Sequence, residues 1–191
     1  MKISKAMELV EPQLTKERYE HSLRVAKTAR YLAKLYDGPE EKAELAGVLH
    51  DYAKYRSLEK MAEEIKTFNL PADLLDFHSE LWHAPIGAIL VEEECGLKDE
   101  DIQYAIRYHT TGRANMSKLE KIIFLADYIE PGRNFPGIEE VREVAETNLE
   151  YACWLAVRNT INYLISKRAK VYPDTFHAYN DLSKHINGGN E

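Results

Sequence analysis

Apolar residues recur along this chain at intervals of three and four, and nowhere do they alternate for long. That period belongs to helices, so the fold expected is all-α: a single compact helical domain, residues 1–191, with its core at about 15–176. A short first helix runs to about Glu11-Pro12. Thr15 caps a long second helix through Tyr36, which Asp37-Gly38 ends. Pro39 suits the first turn of a third helix, which turns Leu45, Val48, Leu49 and Tyr52 inward. Ser57 caps a fourth. Asn69 to His78 is a proline-interrupted connector, Ala84 to Glu94 is helical and stops at Gly96, and Asp99 caps a helix ending near His109. Ser117 and Glu120 predict a capping box for Lys118 to about Tyr128. Pro131-Gly132 and Pro136-Gly137 bracket a loop, Gly137 to Ala145 forms a short helix, Asn148 to Arg168 a long one, and Pro173 opens the last before a polar tail, Asn187 to Glu191.

Composition narrows the function. The chain has 191 residues and a formal net charge of −7, which argues against a broad nucleic-acid surface but leaves room for a local basic pocket. Cys95 and Cys153 lie in apolar helical patterns and read as reduced core thiols. The opening MKISKAMELVEPQL is too broken by Glu and Pro for a signal peptide, and no apolar run reaches the length of a membrane span. The expected address is the cytoplasm, with no membrane partner. Aromatic residues on the Asn148–Arg168 helix fit either a homodimer face or core.

The chemistry gathers on a few histidines and aspartates. His21 shares a stripe with Val25, Ala29 and Leu32, where a satisfied core histidine and a ligand are both open. His50 and Asp51 follow the apolar run Ala46-Gly47-Val48-Leu49. An aspartate buried there needs a counter-charge, from its neighbour or from a cation. Asp127 ends Lys-Ile-Ile-Phe-Leu-Ala-Asp on the apolar face, near a helix C-terminus where the dipole disfavours an anion. A shared cation resolves all three placements. Two imidazoles and two carboxylates make a mixed N/O site for a divalent metal such as iron, manganese or zinc, with open positions for a water and a phosphate oxygen. His83 and His109, at helix boundaries, are surface residues if taken singly. Taken with the others they bind phosphate, act as the acid, or complete a second metal site. Lys54, three residues after Asp51, and Arg133, in the loop after Asp127, are candidate phosphate clamps. The turn Lys170, Val171, Tyr172, Pro173, Asp174, Thr175 starts a helix, which suits an anion. His78, His177 and His185 are surface or structural, and Glu92-Glu93-Glu94 is a solvated helix end.

The ordered set His21, His50-Asp51, Asp127 resembles the HD superfamily of metal phosphohydrolases. Five segments resemble, more narrowly, the YqeK family of symmetrical diadenosine tetraphosphate hydrolases: Tyr-Glu-His-Ser-Leu-Arg-Val-Ala, Gly-Val-Leu-His-Asp-Tyr-Ala-Lys, His-Ala-Pro-Ile-Gly-Ala, Arg-Tyr-His-Thr-Thr-Gly and Phe-Leu-Ala-Asp-Tyr-Ile-Glu-Pro-Gly-Arg. The resemblance implies a metal-bound water as nucleophile and two ADP as product. It implies iron as the metal, with manganese, cobalt, zinc or magnesium as substitutes and a second ion left open. It places His21, Asp51, Lys54, His83, His109, Thr110, Asp127, Arg133 and Lys170–Thr175 around the nucleotide, with Asp51, Lys54, His83 and His109 in catalysis. The alternatives are another HD nucleotide phosphohydrolase, either a phosphomonoesterase or a two-metal phosphodiesterase, and a catalytically silent nucleotide sensor.

Overall fold

The structure, a computed structural model, describes residues 1–186 apart from the side chain of His185. The expected polar tail 187–191 and the reading of His185 lie outside the described residues. These contain ten α-helices and no strand: α1 Ile3–Val10, α2 Lys16–Leu35, α3 Glu40–Leu49, α4 Leu58–Thr67, α5 His83–Cys95, α6 Glu100–Arg107, α7 Lys118–Ile129, α8 Ile138–Ala145, α9 Leu149–Ser166 and α10 Pro173–Ile186. The fold is all-α, as the periodicity requires. No described helix is long and apolar enough to cross a membrane.

The caps sit where the side chains call for them. Thr15, Ser57, Asp99 and Ser117 each accept a hydrogen bond from the amide three residues on, and Ser117 with Glu120 closes a full capping box. Gly96 ends α5 in the left-handed conformation, at φ 67°. Pro39 stands at the N-cap of α3, one residue before the first turn expected for it. The connector 69–78 is less open than proline suggested, because Ala72–Asp76 winds into a 3-10 turn.

Helix α2 is the axis of the site. It lays Ser22, Val25, Ala26, Ala29, Leu32 and Ala33 inward, and its most extensive packing is against α3 and then α7. Small residues let these backbones close up: a Cβ on Gly47 would stand 2.6 Å from Ala26 Cα, so any larger residue there would push α3 away from α2. That crossing sets His21 of α2 beside His50 at the end of α3. Ile86, Ile102, Ile106, Ile122, Ile123, Leu125 and Leu155, all fully buried, fill the interior around it.

Two readings of the surface need correction. Trp154 on α9 is half-buried between Tyr151 and Tyr179, and its indole N–H donates to Ser183 Oγ at 2.9 Å, so α9 spends these aromatics on α10 while Tyr163 stays exposed. Cys153 is buried, but Cys95 is only half-buried. Both thiols are free.

Candidate metal centre

After Leu49 the backbone tightens from α-helix into successive three-residue turns, with amides of Tyr52, Lys54 and Arg56 bonding to carbonyls three residues back. His50 and Asp51 sit at that change of winding, 0% and 1% exposed, and both side chains point into the bundle. His83 opens α5, His109 follows α6, and Asp127 lies in the last turn of α7. His83 and His109 are as buried as His21, which overturns the reading of either as a surface residue. His78 and His177 are exposed, as expected.

The four imidazoles are held the same way. Nδ1 bonds to Gly47 O in His50 (2.8 Å), to Glu80 O in His83 (2.8 Å), to Ile106 O in His109 (2.7 Å) and to the Glu130 carboxylate in His21 (3.0 Å). A carbonyl or carboxylate oxygen only accepts, so each Nδ1 carries the proton. In the neutral ring each Nε2 then presents a lone pair to the interior. This is the arrangement of metal-ligating histidines, whose far nitrogen is fixed by a hydrogen bond.

Those nitrogens converge on two carboxylates. Asp51 Oδ2 is 3.1 Å from His50 Nε2 and 3.8 Å from His21 Nε2. Asp127 Oδ1 is 3.0 Å from His21 Nε2 and 3.9 Å from His50 Nε2. Donors about 3 to 3.5 Å apart are what metal–ligand bonds near 2.1 Å produce. Among the described residues, His21 Nε2, His50 Nε2 and both Asp51 oxygens are buried with no hydrogen-bond partner. Four orphaned atoms of this chemistry in one place fit a divalent cation and little else. His21, His50, Asp51 and Asp127, the four ligands expected from sequence, are therefore brought together.

The electrostatics agree. Burial pushes the Asp51 carboxyl up, but His50 and His83 outweigh it and hold it well below the usual carboxylate range. Burial acts on Asp127 likewise and is outweighed by His21 and Arg133. Burial lowers His50, yet the Asp51 charge raises it on balance. His109 is driven well below its ordinary value by burial and by His50 and His83. A metal ligand must be a neutral imidazole, so the proton that the Asp51 charge favours on His50 would be released when a metal binds.

Sequence reasoning missed three residues. Arg18 Nε lies 2.7 Å from Asp51 Oδ2 as an ion pair. Glu130, 1% exposed, orients His21 and is itself held by Arg24 Nε at 2.6 Å and the Gly132 amide at 2.6 Å. A Cβ on Gly132 would fall 2.6 Å from the Arg24 guanidinium, which explains the glycine. The available signal was spacing: Arg18 and Arg24 lie three residues either side of His21, and Glu130 three after Asp127.

Other expected residues are placed differently. Arg133 reaches the centre but bonds to Asp127, through its carbonyl at 3.0 Å and its carboxylate at 2.6 Å. Lys54 faces the cavity beside His21 while its ammonium bonds to Glu80 at 2.6 Å. Thr110 Oγ1 is 3.3 Å from His109 Nε2. In the Lys170–Thr175 turn, Lys170 bonds to Asp76 O, and Tyr172 and Asp174 line a cavity with Ala84, Tyr108 and Thr111, the neighbours in sequence of His83, His109 and Thr110.

A histidine-aspartate centre of this kind inside a helical bundle defines a class, and the HD domain family matches residues 18–132, which contain all four candidate ligands. The chain belongs to the HD family of metal-dependent hydrolases. Within it, the chain belongs to the YqeK family. It is 52% identical to a protein of Halalkalibacterium halodurans, over 95% of this chain and 97% of that one, and 50% identical to one of Bacillus subtilis, over 95% and 98%. Both relatives are named bis(5'-nucleosyl)-tetraphosphatase, symmetrical. A Clostridium acetobutylicum crystal structure, described as a "predicted HD superfamily hydrolase involved in NAD metabolism", matches with TM-score 0.91 at 40% identity, over 97% of this chain and 98% of that chain.

Proposed function

We propose that this chain hydrolyses diadenosine tetraphosphate at its middle bridge to give two ADP, at a divalent metal centre made by His21, His50, Asp51 and Asp127. The observation that carries it is the convergence of paired imidazole Nε2 atoms on two carboxylates, with four of these atoms orphaned, in a chain half identical to proteins named for that activity. The ion, when bound, supplies Lewis acidity toward a phosphoryl oxygen and lowers the pKa of a water. Iron is the metal this reading assigns, in keeping with the mixed nitrogen and oxygen donors.

The chain's own groups do the rest. Glu130 and the Gly47 carbonyl lock His21 and His50 in the tautomer that ligates. Arg133 and Lys54 offset charge on the equatorial phosphoryl oxygens, the main demand of phosphoryl transfer. His83 Nε2 and His109 Nε2 face each other at 3.2 Å with both Nδ1 atoms already donating. Two lone pairs at that distance repel unless a proton sits between them. That shared proton is the one to deliver to the leaving diphosphate oxygen.

The same facing pair favours a second reading, a two-metal centre. His83 Nε2 is 3.1 Å and His109 Nε2 4.0 Å from Asp51 Oδ1, so Asp51 would bridge two ions. One experiment addresses both. The protein is purified without oxygen, its metal counted per chain, and diadenosine tetraphosphate followed by chromatography. Two ADP per substrate are expected. ATP with AMP, or no turnover in metal-loaded protein, would overturn the assignment, and two ions per chain would replace the shared proton with a second cation.

A further inference from the structure

The Asp51 carboxylate divides the centre into two faces. Oδ1 looks toward His83 and His109, and Oδ2 toward His50, His21 and Arg18. On the Oδ2 side lies a cavity of about 280 Å³, reached past His21 and lined by Thr15, Arg18, Arg24, Lys54, Tyr55 and Arg133 among others. Its lining holds four cations against two acids, Glu17 and Glu130, in a chain of net charge −7. The Arg18 guanidinium makes no hydrogen bond among the described residues, and its ion pair is to a carboxylate that a metal would also engage. Tyr55 lines this cavity with its ring 55% exposed, and its hydroxyl is 3.4 Å from Thr15 Oγ1.

A dinucleoside tetraphosphate has two identical arms. Cleavage at the midpoint requires both to leave the metal centre, in different directions. One arm is accounted for on the Oδ1 side by His83, His109 and Thr110. A cleft there is lined by His109 and Thr110 of that set together with Asp127 and Arg133. On the Oδ2 side, Lys54 and Arg133 are already assigned to the scissile phosphoryl group, and beyond them the cavity carries what a second nucleotide arm needs: guanidinium groups for phosphate and a solvent-facing ring for a base.

We infer that this cavity is the subsite for the second nucleotide arm, with Arg18 and Arg24 meeting its phosphates and Tyr55 the platform on which its base stacks. The inference rests on the cleavage proposed above, and two measurements keep the two apart. Equilibrium dialysis of ADP against the full-length, metal-loaded protein gives two ADP per chain, and in Tyr55→Ala the second fills about tenfold more weakly. In kinetics, preference for diadenosine tetraphosphate over adenosine 5'-tetraphosphate, which lacks the second nucleoside, falls about tenfold in Tyr55→Ala, the scale of one base-stacking contact. Tyr55→Phe restores the preference, because the ring and not the hydroxyl carries the contact. A single ADP per wild-type chain, an unchanged preference in Tyr55→Ala, or equal losses on both substrates would overturn the subsite. Should neither tetraphosphate be cleaved, the proposed activity falls while the ADP count still decides the subsite.

Discussion

Helix α7 carries a carboxylate near each end, and the bundle treats the two in opposite ways. Glu120, in the first turn, is 1% exposed and fully partnered: Arg113 donates to both oxygens, at 2.6 and 3.0 Å, and the Ser117 amide donates at 2.7 Å. The helix dipole favours it there. Asp127, in the last turn, has the dipole against it; Arg133 donates to its carboxylate at 2.6 Å, and the same oxygen faces the Nε2 atoms of His21 and His50. A carboxylate whose bonds are completed by protein donors is structural. One that has a single protein donor and otherwise meets imidazole Nε2 atoms is arranged for a further cation.

The largest test removes charge from the second kind. Asp51→Asn is expected to cut kcat by roughly a thousandfold or more, the several kcal/mol of transition-state stabilisation that a metal supplies. Metal content should fall with it while circular dichroism shows unchanged helix. A chelator should lower the melting temperature of the wild type and leave that of the variant alone, since only a protein that binds the ion can lose its stabilisation. An Asp51→Asn enzyme with full activity would remove the distinction between the two ends of α7 as a guide to function.

Glu130→Gln probes the support rather than the ligand. Gln keeps the shape but removes the charge that fixes the His21 tautomer and faces Arg24. A loss of about 10- to 100-fold in metal affinity is the usual size of such a change. Affinity measured by competition with a chromophoric chelator would show it, and an unaltered value would mean His21 is oriented by packing alone.

Acid offers a graded version of the same comparison. Asp51, Asp127 and Glu130 are all held below the ordinary carboxylate range in the fold, with burial opposing and the neighbouring histidines and arginines prevailing. A depressed native value means stability that is complete above the unfolded value, near pH 4, and is lost as pH falls through the native one. The share of metal-free stability that these carboxylates supply should therefore be steady from neutrality to about pH 5 and be lost steeply below about 4, read as the melting-temperature difference between wild type and Glu130→Gln across that range. Glu130→Gln should show a shallower fall, because one of the three groups no longer titrates.

How much of this was legible depended on range. The caps at Thr15, Ser57, Asp99 and Ser117 follow from side chains within three residues of the helix they start, and the ends of the elements came out within a residue or two. His50, Asp51 and Asp127 stood out because polar groups interrupt apolar runs. His83 and His109 looked like surface residues because both lie at helix ends, and only the packing of α5 on α6 and of α6 on α3 buries them. Arg18, Arg24 and Glu130 were not singled out from the sequence. Their importance arises where α2 meets α7, a contact that no local pattern announces. Tyr55 was invisible for the same reason, since its cavity exists only between the start of α2 and the loop after α7.

The smallest effect is expected at the other end of α7, where everything is already satisfied. Ser117→Ala removes the hydroxyl that accepts from the Glu120 amide at 3.3 Å and opens one side of the capping box. Loss of an N-cap costs about 1 kcal/mol, which in a chain of this size lowers the melting temperature by about 2 to 4 °C. The Glu120–Arg113 pair is untouched, and the metal ligand in the last turn is separated from the cap by most of the helix. Metal content and kcat should stay within about twofold of wild type, a margin under 0.5 kcal/mol. A metal loss in Ser117→Ala would mean that fraying at the first turn reaches Asp127. The two carboxylates of α7 would then form one energetic unit rather than two separate solutions to burying a charge.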